Sequence, residues 1–148
     1  MFKHILLPTD GSDLSDKGVK QTIKMAKALG AQITAVHVVH SYHPPREEGY
    51  FMPEVPMLRE KFENDVDKRA NELLRPVKQA ADRVGVKCDT VVASGDSPYQ
   101  VIIKQAKTSK CDLIMMASHG RRGLSALLLG SETAKVLIHS KVPVLVVR

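Results

Sequence analysis

Residues 111–136 read CDLIMMASHGRRGLSALLLGSETAKV. The stretch begins with an apolar run at 111–117 and continues through a segment that contains three glycines. The pattern predicts a buried strand, a glycine-rich loop and then a helix from Ser131 to about Ser140. Strands that alternate with helices in this way are typical of a parallel α/β sheet.

The rest of the chain continues the same alternation on both sides of this stretch. Apolar and β-branched runs predict further strands at 3–9, 32–39, 86–93 and 143–147. Apolar residues at steps of three and four predict helices at 15–29, 58–84 and 98–109. We therefore expect one domain over residues 1–148, with a parallel sheet that carries helices on both faces.

One segment interrupts the alternation. Residues 40–56 contain four prolines and a glycine, so we expect no regular structure there. A loop of that length in a compact domain is usually functional, and we expect it to be the moving part of the protein.

The composition narrows the class of protein. With 43% hydrophobic and 26% charged residues and no long apolar run, the chain is typical of a globular protein without a membrane-spanning helix. The N-terminus lacks the features of a signal peptide, which favours the cytoplasm. Cys88 and Cys111 are widely spaced and lie in apolar surroundings, so we expect buried, reduced thiols.

The net charge of +6 raises the question of nucleic acid. The basic residues are spread along the chain, and no pattern of a nucleic-acid-binding fold is present. Arg121 and Arg122, beside the glycines, are better explained by a small anion, unless they simply face solvent. We expect neither nucleic acid nor a membrane as a partner.

The glycine-rich segment matches neither of the two best-known phosphate fingerprints. It lacks the lysine of the P-loop, and the turn after the first strand, TDGSD, is not GxGxxG. Gly120 and Gly123 still permit close backbone approach, and Gly130-Ser131 stands where a helix begins. Ser131 and Thr133 add hydroxyl groups, so a phosphate cradle and a flexible loop before an ordinary helix cap are both open.

Four segments together make the family recognisable: KHILLPTDGS, HVV, SHGRRGLSALLLGS and the terminal PVLVV. With them the whole chain closely resembles the universal stress protein family in its single-domain form. ATP-binding members of that family carry G-x2-G-x9-G-[ST]. Gly120 and Gly130-Ser131 match this signature, whereas Ala117 stands where the first glycine is expected.

The resemblance implies a Rossmann-like five-stranded sheet of order 3-2-1-4-5 that binds ATP, with Mg²⁺ as the accompanying ion. By position in the family's pattern, the residues expected to contact the adenine and the ribose are Pro8, Thr9, Asp10, Val38, Met116 and Ala117. The residues expected to contact the phosphates are Gly120, Gly130, Ser131 and Thr133, with Arg121 as a further candidate contact.

Two residues of this chain bear on that assignment. Alanine at 117 is strained if the position needs positive φ, and costs little if it continues the strand, as its place after LIMM suggests. Glu132 would repel a phosphate that it faced. Because its neighbours Ser131 and Thr133 cannot share its direction, we expect Glu132 to point away.

Other chemistries are weakly supported. Three histidines within 37–43 could suggest a metal, but no cysteine is near them and the spacing is not specific. Ser118-His119 lacks the G-x-S-x-G elbow of a hydrolase, and Asp10 is a more plausible hydrogen-bond acceptor than general base. We expect no catalytic residue, and at most slow ATP hydrolysis.

The last predicted strand, 143–147, is apolar on both faces and suits an edge that pairs with a second copy. The resemblance also implies a homodimer through this strand. Our leading hypothesis is a cytoplasmic, ATP-binding stress-response protein that recruits an unknown protein partner. The alternatives are a nucleotide-independent dimeric interaction module with the same fold and a slow ATP hydrolase.

Overall fold

The computed structural model describes residues 1–44, 46–47, 50–51, 56–118 and 129–148. Seven strands and four helices lie in these ranges. The strands are β1 (His4–Pro8), β2 (Gln32–Val39), β3 (Arg46–Glu47), β4 (Tyr50–Phe51), β5 (Cys88–Ser94), β6 (Leu113–Ala117) and β7 (Val144–Val147). The helices are α1 (Asp13–Leu29), α2 (Pro56–Arg83), α3 (Pro98–Thr108) and α4 (Ser131–His139).

Five of the described strands form one parallel sheet in the order β5-β2-β1-β6-β7. Counted along the chain without the short β3 and β4, this is the predicted order 3-2-1-4-5, which is thereby confirmed. The order reverses between β1 and β6, because the chain builds outward from β1 first to one side and then to the other. The carboxyl ends of these two strands therefore lie side by side.

Helices cover both faces of the sheet, as predicted. On one face, α1 and α2 pack on alternate residues of the strands, including Ile5, Leu7 and Met115. On the other face, α3 and α4 pack on the residues between them, including Leu6 and Met116. This division follows from the two-residue period of a strand, since consecutive side chains point to opposite faces.

Helix α1 shows how the sequence sets its own boundaries. The Ser12 hydroxyl oxygen accepts a hydrogen bond from the Ser15 N–H at 3.2 Å and so caps the helix start. Gly30 ends the helix at φ 62°, a left-handed conformation that glycine adopts without a steric penalty. The predicted C-cap at Gly30 is confirmed.

The segment after β2 differs from the prediction. Arg46–Glu47 and Tyr50–Phe51 pair as two short antiparallel strands, so the expectation of no regular structure at 40–56 was wrong. The prolines of the segment lie outside these four residues, which leaves their N–H groups free to pair. The proposed moving part lies partly outside the described residues.

The two cysteines are buried and unpaired, as predicted. Cys88 lies in the core beneath α1 and α2, and Cys111 in the core beneath α3 and α4. Burial raises the pKa of each thiol to about 11, so both remain protonated at neutral pH. Within the ranges described, no helix has the length and apolar character needed to span a bilayer.

Candidate functional site

The point where the strand order reverses, called the switch point below, is the usual ligand site of an open parallel sheet. Here it is formed by the turn Thr9–Asp10 after β1 and by Ala117–Ser118 at the end of β6. The turn after β1 and the segment after β6 were both singled out by sequence, and the structure places Thr9 and Ser118 after adjacent strands. The segment 119–128 lies outside the described residues.

The turn after β1 is held by its own polar groups. The Thr9 N–H donates to the Val36 carbonyl at 3.0 Å, and the Thr9 hydroxyl donates to the Ser15 hydroxyl at 3.1 Å. One oxygen of Asp10, Oδ1, accepts from the N–H and the hydroxyl of Ser12 at 3.0 and 2.7 Å. Asp10 therefore shapes the turn as a hydrogen-bond acceptor and orients the residue that caps α1.

His37 supports the same turn from the neighbouring strand. Its Nδ1 lies 2.8 Å from the Thr9 carbonyl oxygen, which can only accept, so Nδ1 carries the proton. Sequence reasoning considered His37 only as a metal ligand and missed this role. The strand pairing of Pro8 with Val36 brings the two residues together, and no local pattern indicates it.

Three of the predicted adenine and ribose residues share one face of the sheet. Val38 packs against the core beneath α3 and α4, and Met116 belongs to that core. Pro8 follows Leu7 and points to the same face as Leu6, by the alternation of the strand. These three side chains lie near the carboxyl ends of β1, β2 and β6 and are called the apolar floor below.

Ala117 does not share that face. A Cβ built on Gly18 of α1 would lie 3.5 Å from the Ala117 Cβ, which places the methyl group against α1. Ala117 is the last residue of β6. Lys110 is the non-glycine residue with positive φ in the described ranges, so Ala117 is not strained. The expectation of strand-like geometry is confirmed, and only the backbone of Ala117 can border the site predicted beside Met116.

The start of α4 is tied directly to the end of β6. The Gly130 N–H donates to the Ser118 carbonyl at 2.8 Å, and the Gly130 carbonyl accepts from Ala134 at 2.9 Å. Gly130 has no side chain with which to cap the helix, in contrast to Ser12 before α1. The first N–H groups of α4 therefore lack a cap from their own N-cap residue.

The two hydroxyl residues of this helix start differ in exposure. Ser131 is exposed, and in the described part of the chain its hydroxyl makes no hydrogen bond. Thr133 is buried, and its hydroxyl donates to the Ala117 carbonyl at 3.1 Å. The Thr133 donor predicted for a phosphate is thus used inside the protein, where it fastens α4 to β6.

Glu132 points away from the switch point, as predicted. Its Oε2 accepts from the Tyr99 N–H of α3 at 2.9 Å, and its Oε1 accepts from Lys135 at 2.8 Å. The carboxylate is therefore compensated by a helix N-terminus and by an ammonium group rather than aimed at a bound anion.

The remaining predicted phosphate contacts, Gly120 and Arg121, lie outside the described residues, as do His119, Arg122 and Gly123. The histidines of the metal hypothesis do not converge. His37 contacts Thr9, and the His43 Nε2 lies 3.0 Å from Asp96. In the described ranges, no three side chains of histidine, cysteine, aspartate or glutamate lie together.

A cavity of about 270 Å³ lies on the opposite face of β2, beneath α2. Val39 lines it, whereas Val38 points to the other side of the strand. Its remaining wall residues are His40, Ser41, Tyr42, Arg59, Phe62, Glu63, Val66, Asp67 and Ser94. The cavity is therefore separate from the predicted adenine contact.

Comparison with known proteins agrees with this architecture. The model of the universal stress protein family matches residues 1–148. The universal stress protein MJ0531 of Methanocaldococcus jannaschii is 35% identical over 150 aligned residues, which cover 100% of this chain and 83% of that protein. The solved structure of MJ0577, from the same organism, superposes with a TM-score of 0.80 at 30% identity and covers 99% and 96% of the two chains.

Two further solved structures carry a nucleotide. A universal stress protein in complex with cAMP superposes with a TM-score of 0.71 at 23% identity, covering 99% of this chain and 97% of that one. A family protein of Arabidopsis thaliana with AMP bound superposes at 0.63 and 20% identity, covering 98% and 90%. At these identities the similarity shows a common fold.

Proposed function

The chain belongs to the universal stress protein family, and we propose that it binds an adenine nucleotide, ATP with Mg²⁺, where β1 and β6 meet. The observation that carries the proposal is the bond between the Gly130 N–H and the Ser118 carbonyl. This bond holds the start of α4 at the switch point, and Gly130 as N-cap residue supplies no side-chain cap there. The N–H groups of a helix start and the positive end of the helix dipole favour a phosphate.

The apolar floor supports the adenine and ribose end of the same ligand. Pro8, Val38 and Met116 share the face that borders the switch point, and an adenine ring packs well on such side chains. The same fold holds cAMP and AMP in two other family members. Gly130-Ser131 and Gly120 match the ATP signature, and the extended backbone at Ala117 accommodates the methyl group.

The residues present suit Mg²⁺ as a partner of the phosphates. Mg²⁺ is usually held by one or two carboxylates together with phosphate oxygens and water. Asp10 stands at the carboxyl end of β1 and is the residue that would hold the ion, with the Ser131 hydroxyl as a neutral donor or ligand. When bound, Mg²⁺ would neutralise part of the phosphate charge.

The outcome of binding is proposed to be regulatory rather than catalytic. Asp10 already accepts two hydrogen bonds from Ser12, which suits a structural acceptor better than a base. We place the protein in the cytoplasm as a nucleotide-dependent module that recruits a protein partner. Phosphate release above the buffer rate would instead favour a slow ATP hydrolase.

A homodimer through β7 completes the proposal. β7 is an edge of the sheet, and its four residues are all partly exposed. The adjacent helix α4 exposes two neighbouring large apolar side chains, with 74% of Ile138 and 41% of Leu137 accessible. Pairing two β7 strands would cover both the open backbone edge and these side chains.

Titration calorimetry of nucleotide-stripped protein with ATP and Mg²⁺ tests the nucleotide site. Gly130→Val should abolish binding, because the branched side chain would stand at the helix start. Gly130 adopts φ −59° and ψ 145°, which valine also adopts, so the variant should fold. Gly130→Ala is the matched control with a smaller loss. No heat from the unmodified protein and no change of its melting temperature would contradict nucleotide binding and favour the nucleotide-independent interaction module.

A further inference from the structure

The first turn of α4 contains a carboxylate that reaches a second helix. Glu132 is the second residue of α4, and Tyr99 is the second residue of α3. The hydrogen bond from the Tyr99 N–H to Glu132 Oε2, at 2.9 Å, joins the two helix starts. These are the helices that cover the face of the sheet carrying Val38 and Met116.

Helix α3 depends on this bond for its own cap. Pro98 has no N–H, and the Ser97 side chain makes no capping hydrogen bond. The N–H groups of Gln100 and Val101 both donate to the Ser97 carbonyl, at 3.0 and 3.2 Å. The Tyr99 N–H is the one left over in the first turn, and Glu132 accepts it from outside the helix.

The start of α4 is thereby held from two directions. The bonds of Gly130 to Ser118 and of Thr133 to Ala117 tie it to β6. Glu132 alone among these residues ties it sideways to α3. The Tyr99 ring also contacts α4 further along, at Lys135 and His139. Among these contacts, the Glu132 bond is the one that fixes the first turn of α4 against α3.

We propose that Glu132 is a positioning residue for the phosphate end of the nucleotide site. It holds the start of α4 against α3, so that the N–H groups at Ser131 keep one direction towards the bound phosphates. The inference rests on the nucleotide binding proposed above. Glu132 acts through the helix and does not touch the nucleotide.

The hydrogen bond, rather than the negative charge, carries this role. The Glu132 charge is compensated by Lys135 at 2.8 Å and by the N-terminus of α3. Glutamine keeps an oxygen that can accept from the Tyr99 N–H, whereas alanine removes the acceptor. Glu132→Gln and Glu132→Ala therefore separate the bond from the charge, and Lys135→Ala is a control that leaves the Tyr99 bond in place.

The test compares the dissociation constants of ATP and adenosine, which differ only in the phosphates, by competition against a fluorescent adenine nucleotide. Glu132→Ala should weaken ATP binding by up to about tenfold, because the free energy of the lost internal hydrogen bond sets the upper limit of the effect, and should leave adenosine binding within about twofold. Glu132→Gln and Lys135→Ala should keep the ATP-to-adenosine ratio of the unmodified protein. Amide exchange at Tyr99, without nucleotide, should accelerate only in Glu132→Ala.

The outcomes separate the two proposals. If the unmodified protein binds ATP and Glu132→Ala binds it equally well, the positioning role is overturned and the nucleotide site stands. Equal losses of ATP and adenosine would mean a general defect of the fold and would also overturn the role. If Glu132→Gln weakens ATP binding as much as Glu132→Ala does, the hydrogen bond to the Tyr99 N–H is not the cause of the loss, and the positioning role is overturned. No nucleotide binding by the unmodified protein overturns both proposals.

Discussion

Replacing Ala117 by glycine, which restores the family signature, should lower stability without improving nucleotide affinity. The Ala117 backbone is extended at the end of β6, and its methyl group packs against α1 near Gly18. Glycine gains no conformation that the site requires there. ATP affinity should therefore stay within about twofold of the unmodified protein.

The loss of stability has two sources. Glycine in a strand costs about 0.5–1 kcal/mol through the greater freedom of the unfolded chain. The partly buried methyl group contributes about 0.5 kcal/mol, somewhat less than a fully buried carbon. The sum of about 1–1.5 kcal/mol should lower the melting temperature by roughly 3–5 °C in a chain of this length.

Urea unfolding, with an unchanged m-value, and calorimetric titration measure the two quantities. Gly18→Ala provides a control on the same contact, since its Cβ would lie 3.3 Å from the Ala117 nitrogen and 3.5 Å from its Cβ. The close approach is to a backbone nitrogen that glycine at 117 retains, and 3.5 Å is an ordinary contact between the two methyl groups. Removing the Ala117 methyl group should therefore be more costly in that background, with a coupling of about 0.5 kcal/mol. A tenfold or greater gain of ATP affinity in Ala117→Gly would contradict this prediction, because it would mean that the methyl group obstructs the site.

Three further substitutions test individual contacts. Thr133→Val should destabilise the fold by about 1–2 kcal/mol, because it leaves the Ala117 carbonyl at the end of β6 without its hydrogen-bond donor. Thr22→Val is the control in the same urea assay and should cost less, because the Thr22 hydroxyl donates at 2.8 Å to a carbonyl of its own helix. Burial tends to raise the pKa of Asp112, but the N–H groups of His4 and Lys3 outweigh it and the pKa is lowered below its usual 3.8. Its stabilising effect is therefore complete above about pH 5 and is lost as the pH falls through the lower folded-state pKa, so Asp112→Asn should lower the stability at pH 7 and have progressively less effect in acid. Val146→Pro should convert the dimer to monomer in sedimentation analysis, with Val146→Ala remaining dimeric, because the bonds of β7 to β6 leave the Val146 N–H facing the open edge.

The fold was predictable because its signals are local. Apolar runs, helical spacing and the left-handed cap at Gly30 report what a short segment prefers, and each is confirmed. The same local reasoning was wrong at 40–56. Prolines describe their own positions, and the short strands at Arg46–Glu47 and Tyr50–Phe51 form between them.

The candidate site was predictable only in part. The common face of Pro8, Val38 and Met116 follows from the two-residue period of strands once the strand order is known. The same period turns the side chain of Ala117 away from that of Met116. The prediction that both residues border the ribose did not take this into account.

Residue patterns in the sequence were enough to predict the five strands of the main sheet, the four helices, the turn after β1 and the family to which the chain belongs. These depend on residue types at short, regular spacings. The tertiary structure alone decided which polar groups are already engaged: Thr133 with the Ala117 carbonyl, His37 with the Thr9 carbonyl and Glu132 with the Tyr99 N–H. The partners in these pairs are 16, 28 and 33 residues apart, and only the packing of whole helices and strands brings them within hydrogen-bonding distance.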